Sequence, residues 1–266
     1  MKLSDEQIHR YSRQLILNEI GPNGQQKILN SKILVVGAGG LGSPALMYLA
    51  AAGVGTIGIA DGDRVDLSNL QRQIIHFTED LRREKVESAR DTIRAINPDI
   101  TVRLHGEFLF ADNIEPIISE YDFVIDGSDN FATKFLINDA CVLNRKPFSH
   151  GGILRFTGQT MTVIPGRSAC YRCLFREPPA PGSVPTCVEA GILGSVAGIL
   201  GSIQATEALK FVTGSGTLIE NSLLVFDALD MDFRKITIPT NRDCPICGEA
   251  PSILSVRDEE RHICEI

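Results

Sequence analysis

The chain lacks the features that would tie it to nucleic acid or to a membrane. It has no basic block and no arginine-rich stripe. Across 266 residues, 26 lysines and arginines face 33 acids, for a net charge of −7 and an isoelectric point near 5.3. Nucleic acid is therefore excluded as the main partner. It also lacks a long apolar run. The longest, residues 191–203, is glycine-rich and is followed by Gln204 and Glu207, whereas a membrane-spanning helix needs about 20 apolar residues. No signal peptide opens the chain. Residues 1–10 are polar and read as a helix, with Ser4-x-x-Gln7 forming a capping box. The sequence shows no internal repeat and no stretch of disordered composition, so it reads as one continuous globule in the cytoplasm.

An apolar run at residues 32–36 passes directly into Gly37-Ala-Gly39-Gly40-Leu-Gly42, and an Ala-rich helix follows. A strand buried on both faces reads this way. Glycines permit the tight turn and let backbone N–H groups approach phosphate, to which the helix N-terminus adds partial positive charge. A second strand, residues 55–60, ends in Asp61, at the spacing of an acid that grips a ribose hydroxyl. Taken alone, the glycines could serve only a tight strand–helix turn.

Further along, strands and helices alternate: a helix over 83–96, a strand over 101–105, a helix over 113–119, a strand over 121–126, a helix over 130–144 and an extended segment over 147–151. This predicts an α/β fold, a doubly wound Rossmann-like sheet that is mostly parallel. From residue 155 the pattern changes. Residues 156–164 alternate as an antiparallel strand. A proline-rich loop over 177–185 leads to a long helix over about 189–213, and strands follow over 221–227 and 232–238. The sheet is thus continued by an antiparallel α+β C-terminal half. The chain reads as a single domain, 1–266, composed of N-terminal helices (1–30), a nucleotide-binding half (31–151), a second half (152–250) and a tail (251–266). Gly191, Gly194, Gly198, Gly201 and Ser202 on the long helix would admit another backbone, either within the subunit or from a second one.

Seven cysteines include two Cys-x-x-Cys pairs, Cys170/Cys173 and Cys244/Cys247. In a cytosolic chain these read as four thiolate ligands of one structural zinc, with no open coordination position. The alternative is two independent CxxC turns. Cys141, among apolar neighbours, reads as a core residue.

The polar stretch Ser68-Asn69-Leu-Gln71-Arg72-Gln73 has no place in a dehydrogenase. It joins Lys85 and the pair Asp126 and Asp129, the latter at the carboxyl end of a parallel strand, where such sheets bind ligands. Two cations suit a triphosphate, and a carboxylate suits Mg²⁺. Singly, each has a plain alternative: Arg72 and Lys85 as solvated charges, Asp129 as the N-cap of the next helix.

Together these residues resemble the HesA/MoeB/ThiF family, bacterial relatives of ubiquitin-activating enzymes, with a texture closest to its MoeB branch. The matching segments are Arg10-Tyr-Ser-Arg13-Gln14, Gly37–Gly42, Asp66-Leu-Ser-Asn-Leu-Gln-Arg-Gln73, Lys85, Asp126-Gly-Ser-Asp129-Asn130, Cys170-Tyr-Arg-Cys173, Thr186-Cys-Val-Glu-Ala-Gly191 and Cys244-x-x-Cys247. The resemblance implies an adenylyltransferase. ATP would adenylylate the C-terminal glycine of a ubiquitin-like carrier ending in Gly-Gly, releasing pyrophosphate and readying the carrier for sulfur. The molybdopterin pathway is favoured, with the thiamine-type carrier as the alternative. The resemblance further implies that Gly37, Gly39, Gly40, Gly42, Asp61, Asn69, Arg72, Gln73, Lys85 and Asp129 bind ATP, that Asp129 holds Mg²⁺, and that Arg13 reaches the partner's ATP across a homodimer. The second half would bind the carrier.

Cys187 has two readings: a thiol that joins the carrier covalently, or a loop cysteine without chemistry. No basic residue adjoins it to lower its pKa. Longer relatives fuse a rhodanese domain, so a separate donor such as a cysteine desulfurase or rhodanese is expected. Cys264 in the tail would be a remnant, a sulfur-handling thiol or a residue without a role. Two other classes compete. A nicotinamide-dependent oxidoreductase would explain the glycines and Asp61 but leaves Arg72, Lys85, Asp129 and the cysteine pairs idle, and no Tyr-x-x-x-Lys motif is present. A non-catalytic partner of the same fold would not need so complete a polar set.

Overall fold

The computed structural model describes residues 3–180, 183 and 190–259. Its centre is one eight-stranded sheet in the order β3-β2-β1-β4-β5-β6-β7-β8. Strands β1 (Lys32–Val36), β2 (Thr56–Ala60), β3 (Thr101–His105), β4 (Phe123–Asp126) and β5 (Phe148–Leu154) run parallel. From β5 onward, β6 (Thr157–Val163), β7 (Ser222–Asp227) and β8 (Asp232–Thr237) are antiparallel. The switch from parallel to antiparallel expected near residue 155 falls at the two-residue turn Arg155-Phe156. Leu154 pairs with Thr157 across it, and Arg155 takes φ 57°.

Helices cover both faces. Before the sheet come α1 (Asp5–Arg10), α2 (Ser12–Leu15) and α3 (Gly21–Asn30). Then follow α4 (Gly42–Ala52), α5 (Lys85–Ile96), α6 (Ile114–Ser119), α7 (Phe131–Leu143), α8 (Tyr171–Leu174) and α9 (Gly194–Thr213). Local chemistry sets their ends. The Ser4/Gln7 capping box starts α1. Glycines at φ 88° and 77°, Gly53 and Gly214, end α4 and α9. Strand β1 feeds two cores. Ile33 and Val35 join Leu46, Leu49, Ile57 and Ile93 on one side of the sheet. Leu34 and Val36 join Phe135, Phe148, Tyr171 and the cysteine pairs on the other. Alternate side chains of a strand point to opposite faces, so a strand apolar at every position must be covered on both.

Two helix starts differ from the sequence reading. The helix expected from residue 83 begins at Lys85, because Arg82 has φ 70° and Glu84 is bridged to Arg64 as extended chain. The helix expected from about 189 begins at Gly194. Gly191 has φ 79°, Ile192 bridges Arg155, and Leu193 N–H donates to the Arg155 carbonyl. Of the small residues on this helix, Gly201 lets α4 approach: a Cβ there would stand 2.2 Å from the Leu41 carbonyl oxygen. Within the described residues, no helix is long and apolar enough to cross a membrane.

Candidate active site and cysteine centre

The strand ends of β1, β2 and β4 meet along one rim. Gly37 at φ 90° presses against the loop after β4, and a Cβ there would lie 2.8 Å from the Gly127 carbonyl oxygen. At Gly42 it would lie 1.8 Å from the Gly37 carbonyl oxygen. These two positions must be glycine for the turn to close. Gly39 and Gly40 instead face side chains: Gln73 Nε2 at 3.7 Å and Arg72 Cγ at 3.4 Å from the respective Cβ positions.

The turn is held from both sides at Ala38. Its N–H donates to Asp61 Oδ2 at 2.8 Å, while Asp61 Oδ1 accepts the Asp63 N–H at 2.9 Å. Burial raises the Asp61 carboxyl above its ordinary value, against the opposing pull of Lys85 and these N–H groups. On the other side His76 Nε2 lies 2.9 Å from the Ala38 carbonyl oxygen and Nδ1 lies 2.8 Å from Ser88 Oγ. Burial lowers the His76 pKa, so the neutral ring donates from Nε2 to the carbonyl and accepts the Ser88 hydroxyl proton at Nδ1. Sequence reasoning missed His76; a lone histidine in a polar stretch gives no sign of which backbone it meets.

The polar stretch folds as a tight turn. Asp66 accepts the Ser68 N–H at 2.9 Å and its hydroxyl at 2.6 Å, and Asn69 Oδ1 accepts the Asp66 N–H at 3.3 Å. Arg72 Nη1 donates to the Ser68 carbonyl at 3.1 Å. Its stem lies beside Gly40 and beneath the start of α9, where a Cβ on Gly194 would meet Arg72 Cα at 3.2 Å. Gln73 is buried, and its Oε1 has no partner among the described residues. Lys85, also buried, pairs with exposed Asp63 at 2.8 Å.

At the end of β4 the two acids part. Asp129 is exposed, and it is Asn130, not Asp129, that caps α7 by accepting the Thr133 N–H at 2.9 Å. Asp126 is buried. It accepts Ser128 N–H and Oγ–H at 3.0 and 2.6 Å, Lys134 Nζ at 3.1 Å and His150 Nδ1 at 2.9 Å. Burial alone would raise its pKa, but Lys134, His150 and Ser128 outweigh that and hold it at about 2. His150 is pushed down by burial, with Lys134 acting in the same sense. The neutral ring therefore carries its proton on Nδ1, and the buried Nε2 has no partner among the described residues. Lys134 and His150 were not legible as site residues. Their only signal was the acid they bond.

Arg13 stands elsewhere. It is exposed on α2 and lines a groove of about 440 Å³ with Gln14, Tyr48, Ala52, Thr206 and Leu209. Tyr48 and Ala52 lie in the second half of α4, roughly 10–15 Å along the helix from the glycine turn at 1.5 Å per residue.

The four paired cysteines converge on the far side of the sheet. Cys170 Sγ lies 3.9 Å from Cys173, 3.6 Å from Cys244 and 3.4 Å from Cys247, and Cys173 Sγ lies 3.4 Å from Cys247. All four sulfurs fall within 4.8 Å of one another. A tetrahedral zinc with bonds of about 2.3 Å would set its sulfurs about 3.8 Å apart, so the donor set fits that ion. The second knuckle is tight, with a Cβ on Gly248 falling 2.4 Å from the Arg242 carbonyl oxygen. The first is anchored by buried Arg172, paired to Asp139 at 2.7 Å. Cys141 is a buried core thiol whose pKa burial pushes up. Cys187 and Cys264 lie outside the described residues.

The model of the ThiF family matches residues 11–246. The chain is 46% identical to the SAMP-activating enzyme E1 of Haloferax volcanii, over 94% of this chain and 92% of that protein. It is 44% identical to the sulfur carrier protein adenylyltransferase of Thermus thermophilus over 98% of both. It is 51% identical to the probable adenylyltransferase/sulfurtransferase MoeZ of Mycobacterium tuberculosis over 91% of this chain, which spans only 63% of that longer protein. The crystal structure of E. coli MccB with MccA-N7isoASN shares the fold, with a TM-score of 0.79 at 21% identity, covering 90% of this chain and 75% of that one. The chain belongs to the ThiF family, a family of ATP-using adenylyltransferases.

The depressed pKa of Asp126 has a consequence for stability. Its ordinary value, 3.8, lies above the folded value of about 2. The stabilisation is therefore complete above the ordinary value and disappears as pH falls through the folded one, a loss of order 2 kcal/mol. Denaturant unfolding of Asp126→Asn should start from lower stability at pH 5 and decline less steeply than wild type between pH 4 and 2. Parallel curves for the two proteins would contradict this.

Proposed function

We propose that this chain adenylylates the C-terminal glycine of a small ubiquitin-like sulfur carrier, using ATP and releasing pyrophosphate. The observation that carries the reading is the convergence of Arg72 and Lys85 on the same rim as the glycine turn and Asp61, with exposed Asp129 one residue past Ser128, whose backbone nitrogen approaches Gly37. Hydride transfer has no use for two cations and a free carboxylate there, and the relatives at 44% and 51% identity bear adenylyltransferase names. A carboxylate is a poor nucleophile, so the protein must contribute position and charge neutralisation. The turn's backbone N–H groups and the start of α4 would cradle phosphate. Asp61 keeps lone pairs free for ribose hydroxyls. Asn69, Arg72, Gln73 and Lys85 would contact the triphosphate.

Asp129 suits Mg²⁺, which binds one or two carboxylates together with substrate phosphates. When bound, the ion would neutralise charge on the phosphates. Zinc in the four-cysteine centre would be structural and would tie the residue-170 turn to the residue-244 knuckle. Arg13 lines a groove beside the second half of α4 rather than its own rim, which supports a homodimer in which it serves the partner's site. Sulfur would come from a separate donor of the cysteine desulfurase or rhodanese type. The Thermus relative, matched over 98% of both chains, is named for adenylyl transfer alone. We favour the molybdopterin-type carrier over the thiamine type, on the sequence Thr186–Gly191, and a cytoplasmic setting.

ATP–pyrophosphate exchange with a panel of Gly-Gly-ended carriers tests the reaction. Exchange that depends on one carrier is expected. No exchange with any carrier, from folded enzyme that binds ATP, would remove the assignment. Mixing Arg13→Ala with Arg72→Ala subunits should restore part of the activity, and mixed dimers without rescue would count against trans action by Arg13. Elemental analysis should find about one zinc per chain, and Cys244→Ser should lower both metal content and melting temperature. Undiminished stability in that variant would count against a shared site.

A further inference from the structure

Lys134 has no role in the chemistry above, yet few side chains in this protein are held more tightly. Its ammonium sits at the junction of three elements. It donates to the Asp126 carboxylate at 3.1 Å, to the Ser128 carbonyl at 2.7 Å and to the Gly151 carbonyl at 2.5 Å. An ammonium has three donors, and all three are used. The side chain is 8% exposed and the carboxylate 1%, so the pair is almost wholly buried.

What it holds is specific. Ser128 is the residue before Asp129, and its carbonyl belongs to the peptide that leads into Asp129. Asp126, in turn, grips the Ser128 N–H and hydroxyl. The loop is therefore fixed at both the N–H and the carbonyl of Ser128, one residue short of the exposed acid. The Gly151 contact ties the same loop to β5, where the sheet changes from parallel to antiparallel. His150, next to Gly151, completes the Asp126 carboxylate from that strand.

We propose that Lys134 is a positioning residue: it welds the loop after β4 to β5 and so sets the direction in which Asp129 presents its carboxylate to a phosphate-bound magnesium ion. The inference rests on the reading of Asp129 as the magnesium ligand, and it assigns Lys134 no contact of its own with metal or nucleotide. A buried ion pair of this kind is a weak source of net stability, because desolvation offsets the attraction. Its product is a fixed geometry, as partners behind a metal ligand generally provide.

The test is ATP binding by calorimetry with and without Mg²⁺, on wild type, Lys134→Met, Asp129→Asn and the double variant Asp126→Asn/Lys134→Met. The double variant leaves no buried charge unpaired, so it serves if Lys134→Met alone fails to fold. The Lys134 variants should keep wild-type affinity for metal-free ATP and lose about 10-fold of the gain that magnesium confers. Amide hydrogen exchange at residues 128–130 of the nucleotide-free protein should quicken in both. If Asp129→Asn loses the magnesium gain while the Lys134 variants keep it in full and exchange at the wild-type rate, Lys134 serves only to neutralise Asp126 and the inference falls. If Asp129→Asn itself keeps the gain, the magnesium reading beneath it is wrong, and the positioning role falls with it.

Discussion

The approach of the glycine turn to the loop after β4 is the constraint on which the site depends. Gly37 and Gly127 pack backbone to backbone with no room for a Cβ on Gly37. That closeness forces the ends of β1 and β4 together, while the Ala38–Asp61 hydrogen bond adds the end of β2. Everything that reads as phosphate chemistry is then hung on three adjacent strand ends. An open parallel sheet offers its ligand site at the carboxyl ends of its strands because loops of opposite course part there. Here the polar stretch from Asp66 to Gln73 fills one side of that gap, and the start of α9 backs it by passing Gly194 over Arg72.

Most of the fold was legible because its signals are local. Val- and Ile-rich runs gave the buried strands, and the change of period near residue 155 marked the change of strand direction. The two CxxC pairs pointed to a shared centre, and their four sulfurs do converge. The long helix was placed too early because Gly191 to Leu193 look like a helix turn in composition. Only the pairing of Ile192 with Arg155 makes them extended, and a non-local bridge leaves no local mark. The same reason hid His76, Lys134 and His150. Each acts on backbone atoms or on an acid from another element, and the sequence does not record that meeting.

Asp126 and Asp129 illustrate the limit more sharply. They are the same residue type three positions apart in one motif, and composition and spacing do not rank them; only the family resemblance singled out Asp129. Burial separates them. Asp126 ends β4 facing the Phe135 and Tyr171 side of the sheet, where an ionised carboxylate must be compensated, and it draws Lys134 and His150 to itself. Asp129 falls past the turn, in solvent, free to take a ligand. The neighbouring Asn130 relieves it of the capping role that its position suggested.

The rim's cations are also already engaged. Lys85 is held by Asp63, and Arg72 by the Ser68 carbonyl. A weak nucleophile requires that the charges meeting it be in place beforehand, since reorganising them during the reaction would add to the barrier. The two engagements differ in kind. Asp63 is exposed and competes with solvent for the ammonium, so a triphosphate can displace it at small cost. The Ser68 carbonyl takes only one of the Arg72 donors and leaves the rest of the fork for phosphate oxygens. On the proposed reading, both cations are held near the turn by partners that a phosphate can supplement or displace. Lys134, whose three donors are all used, is buried like Lys85, and in the proposal above it aims the acid rather than meeting the nucleotide.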